Sequence, residues 1–185
     1  RKYYEDHKHP DSPALRDPNP VVILWPGVGM FTFAKNKQTA RVASEFYINA
    51  INVMRGAEAI SEYVALPLQE AFNIEYWLLE EAKLKRQPPE QAMSRKIVLL
   101  TGGAGGIGQA IAKKLADEGA CVVLTDLSED DLKDADAEFG RDVSSYVVCD
   151  VTKSEEVDAA FQQAALAFGG VDVVVHSAGL AISKP

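Results

Sequence analysis

The stretch Ile97-Val98-Leu99-Leu100-Thr101-Gly102-Gly103-Ala104-Gly105-Gly106-Ile107-Gly108 decides the fold. A short run of branched aliphatic residues breaks into five glycines within seven residues, and a helical pattern follows at once. This order suits a nucleotide pyrophosphate, because glycines let the backbone approach the phosphates and the first N–H groups of the helix face the negative charge. We therefore expect the stretch to open a nucleotide-binding unit.

From Arg95 onward, strand and helix patterns alternate, which is typical of βαβ units on a parallel sheet. The predicted strands are Lys96–Leu100, Cys121–Thr125, Ser144–Cys149 and Val171–His176. The predicted helices run from Ile107 to about Glu118, over Ser128–Phe139, and from a Thr152/Glu155 capping box to Phe168. The predicted fold class is α/β, a partial Rossmann-type doubly wound parallel sheet preceded by a mixed α+β tail.

Aspartates follow two of these strands, at the sheet edge where ligands bind in open α/β folds. Asp126 stands 18 residues after Gly108, close to the spacing of about 20 expected for the carboxylate that accepts the adenosine ribose hydroxyls. A carboxylate there would repel a 2′-phosphate, so we expect NAD rather than NADP. An NADP-preferring reductase stays open as an alternative.

Three motifs in this half resemble those of the short-chain dehydrogenase/reductase family. They are Thr101-Gly102-x-x-x-Gly106-Ile107-Gly108, the adenine-contacting pair Asp150-Val151, and His176-Ser177-Ala178-Gly179 in place of the family's Asn-Asn-Ala-Gly. We interpret His176 as a strand-end residue in the usual asparagine position and not as a catalytic one. The resemblance implies cofactor contacts by Thr101, Gly102, Gly106, Ile107, Gly108, Asp126, Asp150, Val151, Ala178 and Gly179.

Catalysis in that family depends on a Ser and a Tyr-x-x-x-Lys pair beyond the fourth strand, with the Tyr as general acid/base. Tyr146 does not fit this motif, because Asp150 stands four residues after it. We expect no catalytic residue in the 185 residues and interpret the chain as a fragment that ends before them.

The first ninety residues follow a different pattern. Val21–Trp25 and Val28–Ala34 predict a hairpin, and Asn36 is a good N-cap for a long helix. A second helix is predicted from Pro67 through Lys83. An apolar stripe runs along the long helix at Val42, Phe46, Ala50, Val53, Ala57 and Ile60. Tyr47, Ile51 and Met54 widen this stripe, so we expect the helix to be buried on more than one side.

The segment Leu24-Trp25-Pro26-Gly27-Val28-Gly29, followed by Ala34–Ala40, resembles the C-terminal end of class II, metal-dependent sugar-phosphate aldolases. The family's metal-binding His before the glycine aligns with Pro26, which cannot bind a metal. The resemblance therefore implies a divalent metal held by residues upstream of Arg1, with no metal ligand among those present. His7 and His9, two residues apart, are interpreted as surface-loop histidines.

We expect three segments: an aldolase-like domain end over 1–85, a linker over 86–94, and the first half of a dehydrogenase domain over 95–185. This order resembles the bifunctional rhamnulose-1-phosphate aldolase/alcohol dehydrogenase family. The resemblance implies rhamnose catabolism, in which one half cleaves rhamnulose 1-phosphate and the other acts with NAD on lactaldehyde or a related alcohol or aldehyde.

Composition excludes several other classes of protein. The net charge of −8 argues against a nucleic-acid surface, which needs a clustered basic face. No apolar run is long enough to span a bilayer. Cys121 and Cys149 lie in strand patterns and are expected to be small buried hydrophobic residues, which together favour a cytoplasmic protein. We expect a homo-oligomer, and a non-catalytic binding or oligomerisation scaffold remains the alternative function.

Overall fold

Two separately packed units make up the chain, which the structure, a computed structural model, describes for residues 1–179. The first unit comprises Arg1–Phe33 and Arg41–Pro89, and the second comprises Ala34–Ala40 and begins again at Glu90. No helix within this described range combines the length and the apolar character that a bilayer crossing needs.

The first part of the chain contains a hairpin and four helices. Strands β1 (Val22–Trp25) and β2 (Gly29–Thr32) pair antiparallel, which confirms the predicted hairpin. The helices are α1 (Lys2–His7), α2 (Lys37–Ile60), α3 (Leu68–Glu75) and α4 (Leu78–Lys85). Asn36 caps α2 as predicted, because its side-chain oxygen accepts a hydrogen bond from the Thr39 N–H at 2.8 Å.

The exposure of α2 contradicts the expected burial. None of its residues is buried, and Phe46 and Ile60, which belong to the predicted stripe, are 71% and 91% exposed. Among the predicted apolar residues, Tyr47, Ile51, Met54 and Ala57 are half-buried. The pattern identified an apolar face, but the first unit does not bury it.

The second predicted helix is two helices, with a break at Tyr76 and Trp77. Tyr76 closes α3 through its N–H, which bonds to the carbonyl of Phe72, and Trp77 is extended (φ −65°, ψ 129°). The ring of Tyr76 stacks on Phe72 with centroids 4.5 Å apart, and both residues are buried. Aromatic packing at this point therefore competes with continuation of the helix.

Both histidines near the N-terminus were expected to lie in a surface loop, but one of them lies in a helix. His7 is the last residue of α1, and its Nδ1 lies 2.8 Å from the carbonyl oxygen of Tyr3. His9 follows the helix, and its Nε2 lies 3.1 Å from Oδ1 of Asn73. Each ring thus takes part in local packing contacts.

The second unit is a four-stranded parallel sheet with helices between the strands. In chain order its elements are β3 (Ile97–Thr101), α5 (Gly106–Asp117), β4 (Cys121–Asp126), α6 (Glu129–Ala137), β5 (Ser144–Val148), α7 (Ser154–Phe168) and β6 (Val173–His176). The strand order is β5-β4-β3-β6, and every pair is parallel. The predicted α/β class and parallel sheet are confirmed, and this order is the first part of the Rossmann arrangement.

Both faces of the sheet are covered, which explains the uninterrupted apolar strands. On one face, residues of β3 and β4 pack with α5 and α6 in a cluster that includes Leu100, Leu124 and Leu132. On the other face, Leu99 and Val123 pack with residues of α7. Each fully buried aliphatic side chain contributes about 1.5–3 kcal/mol, so this sandwich is a rigid base for the strand ends.

The stretch predicted as a linker makes contacts with the sheet unit at its later residues. The Met93 N–H donates to the carbonyl of Glu118 at 2.9 Å, and Nε2 of Gln91 donates to the carbonyl of Asp117 at 2.6 Å. These bonds satisfy carbonyls at the end of α5, which a helix terminus otherwise leaves without partners.

Candidate functional site

The special residues of the sequence converge at the carboxyl edge of the parallel sheet. In the strand register, Thr101 pairs with both Thr125 and His176. Asp126 pairs with Val148, and the Cys149 N–H donates to the carbonyl of Asp126 at 2.9 Å. Asp150 follows directly. The chain leaves β3 at the point where the strand order reverses, which is where open α/β sheets bind ligands.

The start of α5 has the features of an anion-binding site. The glycine loop, residues 102–105, leads into this helix, whose N-cap Gly105 supplies no side-chain cap and whose first turn has no acidic residue. The first turns of α6 and α7 both contain acidic residues. Since the N-terminal N–H groups and the helix dipole favour negative charge, α5 leaves this potential available to a ligand.

At two positions in the loop and helix, a side chain would collide with neighbouring backbone atoms, so only glycine fits. A third glycine borders open space. A Cβ on Gly108 would overlap the carbonyl oxygen of Gly102, and a Cβ on Gly102, which has φ +70°, would come within 2.8 Å of the Ala178 nitrogen. A Cβ on Gly106 would meet nothing within 4 Å. The backbone at Gly106 therefore borders open space.

Asp126 connects the second strand to the glycine loop. Its Oδ2 accepts a hydrogen bond from the Ala104 N–H at 3.1 Å, and its Oδ1 accepts one from the Leu127 N–H at 2.8 Å. The carboxylate therefore stands beside the loop, and part of its hydrogen-bonding capacity holds the loop in place. Each oxygen retains a lone pair that can accept a ribose hydroxyl.

Further contacts hold the loop, and the sequence reasoning missed them. The Gly103 N–H donates to the carbonyl of Thr125 at 2.9 Å, and Nε2 of Gln109 donates to the carbonyl of Ala104 at 2.7 Å. Gln109 lies in the first turns of α5, one residue past the glycine motif. In the sequence, the only sign that Gln109 holds the loop is its position next to the glycine motif, because a glutamine on a helix surface has no distinctive pattern.

Thr101 faces the loop that follows β6. Its Oγ1 accepts hydrogen bonds from the Ser177 and Ala178 N–H groups, both at 3.2 Å, and the residue is buried. The hydroxyl thus orients the backbone of Ala178, which lies against Gly102. Gly179 comes next, and a Cβ there would meet nothing within 4 Å.

Asp150 is the centre of a small charged network before α7. Its Oδ1 accepts hydrogen bonds from the N–H and the hydroxyl of Thr152, at 3.0 and 2.7 Å. These bonds hold the pKa of Asp150 below its ordinary value, so its carboxylate remains ionised at neutral pH.

The Thr152/Glu155 capping box is wrong. Helix α7 begins at Ser154, and Lys153 is its N-cap without a side-chain cap. The Thr152 hydroxyl bonds to Asp150 instead, and Glu156 is the acid that reaches back, accepting from the Asp150 N–H at 2.8 Å. The acidic residue three positions after the true N-cap was the signal that could have identified Glu156.

Exposed apolar side chains accompany the polar groups at this edge. Ile107 follows Gly106, Leu127 follows Asp126, and Val151 follows Asp150, and all three are exposed. Exposed apolar side chains of this kind suit the faces of a purine ring. Leu127 was not among the residues predicted from the sequence.

The described residues 1–179 contain no group of three or more His, Cys, Asp or Glu side chains arranged to hold a metal ion. Cys149 is buried against β3, β4 and α7, whereas Cys121 is half-buried, and both thiols are free. Burial raises the pKa of each.

We expect Cys149 to resist alkylation. A raised pKa lowers the thiolate fraction at any given pH, and burial blocks access to the sulfur. At pH 8, iodoacetamide should leave Cys149 unlabelled in the native protein and label it after unfolding in urea, as followed by peptide mass spectrometry. Cys121 is the internal comparison, and rapid labelling of Cys149 in the native protein would contradict the packing described.

Two family models match consecutive parts of the chain. Residues 1–84 match the aldolase class II second domain, and residues 96–185 match the short chain dehydrogenase family. The chain therefore joins a segment similar to the aldolase class II second domain to a segment similar to short-chain dehydrogenases. The glycine motif, Asp126 and Asp150 all lie in the segment that matches the short chain dehydrogenase model.

Among proteins of known sequence, one relative matches nearly the whole chain and another matches half of it. An uncharacterized oxidoreductase of Bacillus subtilis (strain 168), YuxG, is 42% identical over 186 residues, which cover 98% of this chain and 27% of that protein. An uncharacterized oxidoreductase of Staphylococcus aureus (strain MRSA252) is 43% identical over 92 residues, covering 50% of this chain and 40% of that protein. The chain thus spans about a quarter of the first relative and less than half of the second.

Two solved structures from Brucella melitensis are similar to part of the chain. One is a short-chain dehydrogenase/reductase, glucose/ribitol dehydrogenase, which is 33% identical to this chain. The match covers 54% of this chain and 41% of that protein's chain, with a TM-score of 0.48. The other is a 3-ketoacyl-(acyl-carrier-protein) reductase, solved in complex with NADH, which is 35% identical; the match covers 45% of this chain and 34% of that protein's chain, with a TM-score of 0.43.

Proposed function

We propose that the protein is a nicotinamide-dinucleotide-dependent oxidoreductase with an attached aldolase half. The observation that carries the proposal is the uncapped start of α5, with an open backbone at Gly106 and no acid in its first turn. Two carboxylates, Asp126 and Asp150, follow neighbouring strands beside it. When bound, the nicotinamide ring would supply hydride transfer.

The residues at the sheet edge fit the parts of the cofactor in order. The N–H groups of α5 would hold the pyrophosphate, Asp126 would accept the ribose hydroxyls, and Asp150 with Val151 would contact the adenine. Thr101, Gly102, Gly108, Ala178 and Gly179 would shape the surrounding backbone. A 2′-phosphate beside Asp126 would be repelled, so the proposed cofactor is NAD and NADP is disfavoured.

The remaining proposals rest on the fused architecture. The aldolase-type segment would extend over 1–85 and the dehydrogenase segment over 95–185, joined by 86–94. The substrate would be a small sugar-derived aldehyde or alcohol such as lactaldehyde, produced from a rhamnulose-1-phosphate-like compound by the aldolase half with a divalent metal. We place the protein in the cytoplasm, and the exposed apolar face of α2 supports a homo-oligomer.

Titration calorimetry with NAD and NADP tests the cofactor proposal. The protein should bind NAD more tightly than NADP. The Gly106→Trp variant should weaken NAD binding roughly 100-fold, because the indole fills the space proposed for the pyrophosphate. Gly140→Trp is the matched control, since a Cβ there also meets nothing within 4 Å and the residue precedes β5, at the opposite edge of the sheet. Its affinity should be unchanged.

The same titration separates the oxidoreductase from the alternative of a non-catalytic scaffold. The exposed α2 face favours that alternative, because it offers apolar surface for association. If neither dinucleotide binds to the folded protein, the cofactor proposal is wrong and the scaffold is favoured. If NADP binds more tightly than NAD, the assignment of Asp126 as a discriminating residue is wrong.

A further inference from the structure

Glu156 holds two different groups with its two carboxylate oxygens. Its Oε2 accepts a hydrogen bond from the Asp150 N–H at 2.8 Å, and its Oε1 accepts one from Nζ of Lys153 at 2.8 Å. Glu156 lies in the first turn of α7 and is half-buried. One side chain therefore joins the start of α7 to the backbone that follows β5.

The two oxygens of Asp150 differ in how fully they are used. Oδ1 accepts two hydrogen bonds from Thr152. Oδ2 has Lys153 as its neighbour, with Nζ 3.8 Å away, which is beyond hydrogen-bond distance. Oδ2 is accordingly the oxygen that retains capacity for a donor from a ligand.

Lys153 lies between two carboxylates and bonds to only one of them. Its Nζ is 2.8 Å from Glu156 and 3.8 Å from Asp150. Since a charge-assisted hydrogen bond of 2.8 Å is strong, Glu156 keeps the ammonium group beyond hydrogen-bond distance of Asp150, with which it forms a longer ion pair. Without Glu156, Lys153 would be free to move closer, to hydrogen-bond Oδ2 directly and to compete with a ligand.

We propose that Glu156 is a positioning residue for recognition of the adenine amino group. It fixes the backbone of Asp150 and holds Lys153 away, so that Oδ2 is available to accept a hydrogen bond. Adenine carries a donor of this kind in its exocyclic amino group. The inference rests on the proposed function, because it assumes that a dinucleotide with adenine binds at this edge.

A pair of ligands that differ at one position isolates this contact. Nicotinamide purine dinucleotide carries a hydrogen atom at C6 where NAD carries the amino group, and its ring N1 stays an acceptor as in adenine. It has no N–H donor on this edge for a carboxylate, so the wild-type protein should prefer NAD to this purine analogue. The affinity difference between the two ligands reports on the amino group and is insensitive to general damage to the site.

Titration calorimetry on the wild-type protein and three variants gives the test. Glu156→Ala should lower the affinity for NAD about 10-fold, as expected for loss of one hydrogen bond to a charged group, and that for the analogue by less than about 2-fold. Glu156→Gln keeps one oxygen for the Asp150 N–H but loses the charge that holds Lys153, so the affinity for NAD should fall about 3- to 10-fold and that for the analogue by less than about 2-fold. Glu155→Ala removes the same charge from the same helical turn at an exposed side chain, and should change neither affinity.

The outcomes separate the two proposals. If the wild-type protein binds neither ligand, the proposed function itself fails. If it binds NAD but Glu156→Ala weakens both ligands equally, or neither, Glu156 is structural or irrelevant and the inference is overturned. Equal binding of both ligands by the wild-type protein also overturns it. Should Glu156→Ala fail to fold, Glu156→Gln decides, with Glu155→Ala as its control, because an unchanged preference for NAD over the analogue in the folded Glu156→Gln protein overturns the inference.

Discussion

Replacing Gly108 with Ala is expected to abolish dinucleotide binding at the concentrations used for the wild-type protein. The new Cβ would overlap the carbonyl oxygen of Gly102 and come within 2.9 Å of the Gly103 Cα. These are backbone atoms, so no side chain can rotate away and the glycine loop itself must move. Overpacking of this kind costs about 1–3 kcal/mol, and the displaced loop would also lose its hydrogen bonds to the phosphates.

The expected results are an affinity for NAD lowered roughly 100-fold and a lower thermal midpoint, by about 4–8 °C for each kcal/mol lost. Calorimetry and thermal unfolding followed by circular dichroism measure the two effects. Gly140→Ala is the matched control, because it makes the same change at a glycine outside the proposed site, where the Cβ meets nothing within 4 Å. A Gly108→Ala protein with wild-type stability and wild-type NAD affinity would show that the loop does not have the described conformation.

The parallel sheet was predictable from the sequence because its determinants are local. Each strand in the centre is a continuous apolar run, since helices cover both faces. The glycine motif marks one turn unambiguously, because backbone atoms occupy the space where a Cβ at Gly108 or Gly102 would stand. In such a unit, pattern and packing agree, and the predicted strands match the observed ones to within two residues.

Helix α2 shows what a local pattern leaves undetermined. Periodicity reveals that one face is apolar, but it does not reveal which element covers that face, because the partner is distant in sequence. The apolar stripe with Phe46, Val53 and Ile60 is exposed in this chain. The break at Tyr76 has the same origin, since it depends on the stacking of its ring on Phe72 in three dimensions.

The candidate site also contains residues that the sequence predicts and residues that it does not. Glycines and aspartates at strand ends were predicted because their residue type and position are distinctive. The side chains that support them were missed: Gln109 holds Ala104, and Glu156 holds Asp150. A glutamine or glutamate on a helix resembles any solvated residue until the fold places a backbone group beside it.

Asp126→Asn is the second change expected to have a large effect. The carboxylate accepts the Ala104 N–H on one oxygen and the Leu127 N–H on the other. An amide has a single acceptor oxygen, so one of these bonds is lost, and the charge proposed to bind the ribose hydroxyls is lost as well. Hydrogen bonds to charged groups contribute about 1.5–3 kcal/mol, so NAD affinity should fall about 10- to 100-fold.

The preference between the two dinucleotides should narrow in the same variant, because the neutral amide no longer repels a 2′-phosphate. Calorimetry with NAD and NADP measures both effects. Asp130→Asn, four residues on, is the control, because it removes an equal charge from a side chain that is 95% exposed, and surface substitutions of this kind change little. An unchanged ratio of NAD to NADP affinity in Asp126→Asn would show that Asp126 does not face the ribose.

Hydrogen exchange in the absence of cofactor separates the two roles of Asp126. If the carboxylate holds the glycine loop through the Ala104 N–H, the loop amides should exchange faster in Asp126→Asn than in Asp130→Asn, because local opening becomes less costly. If NAD affinity falls while loop exchange stays the same, Asp126 acts on the ribose alone. Faster exchange would mean that a substitution intended to change cofactor preference also loosens the pyrophosphate site, so preference and loop order are linked through one carboxylate.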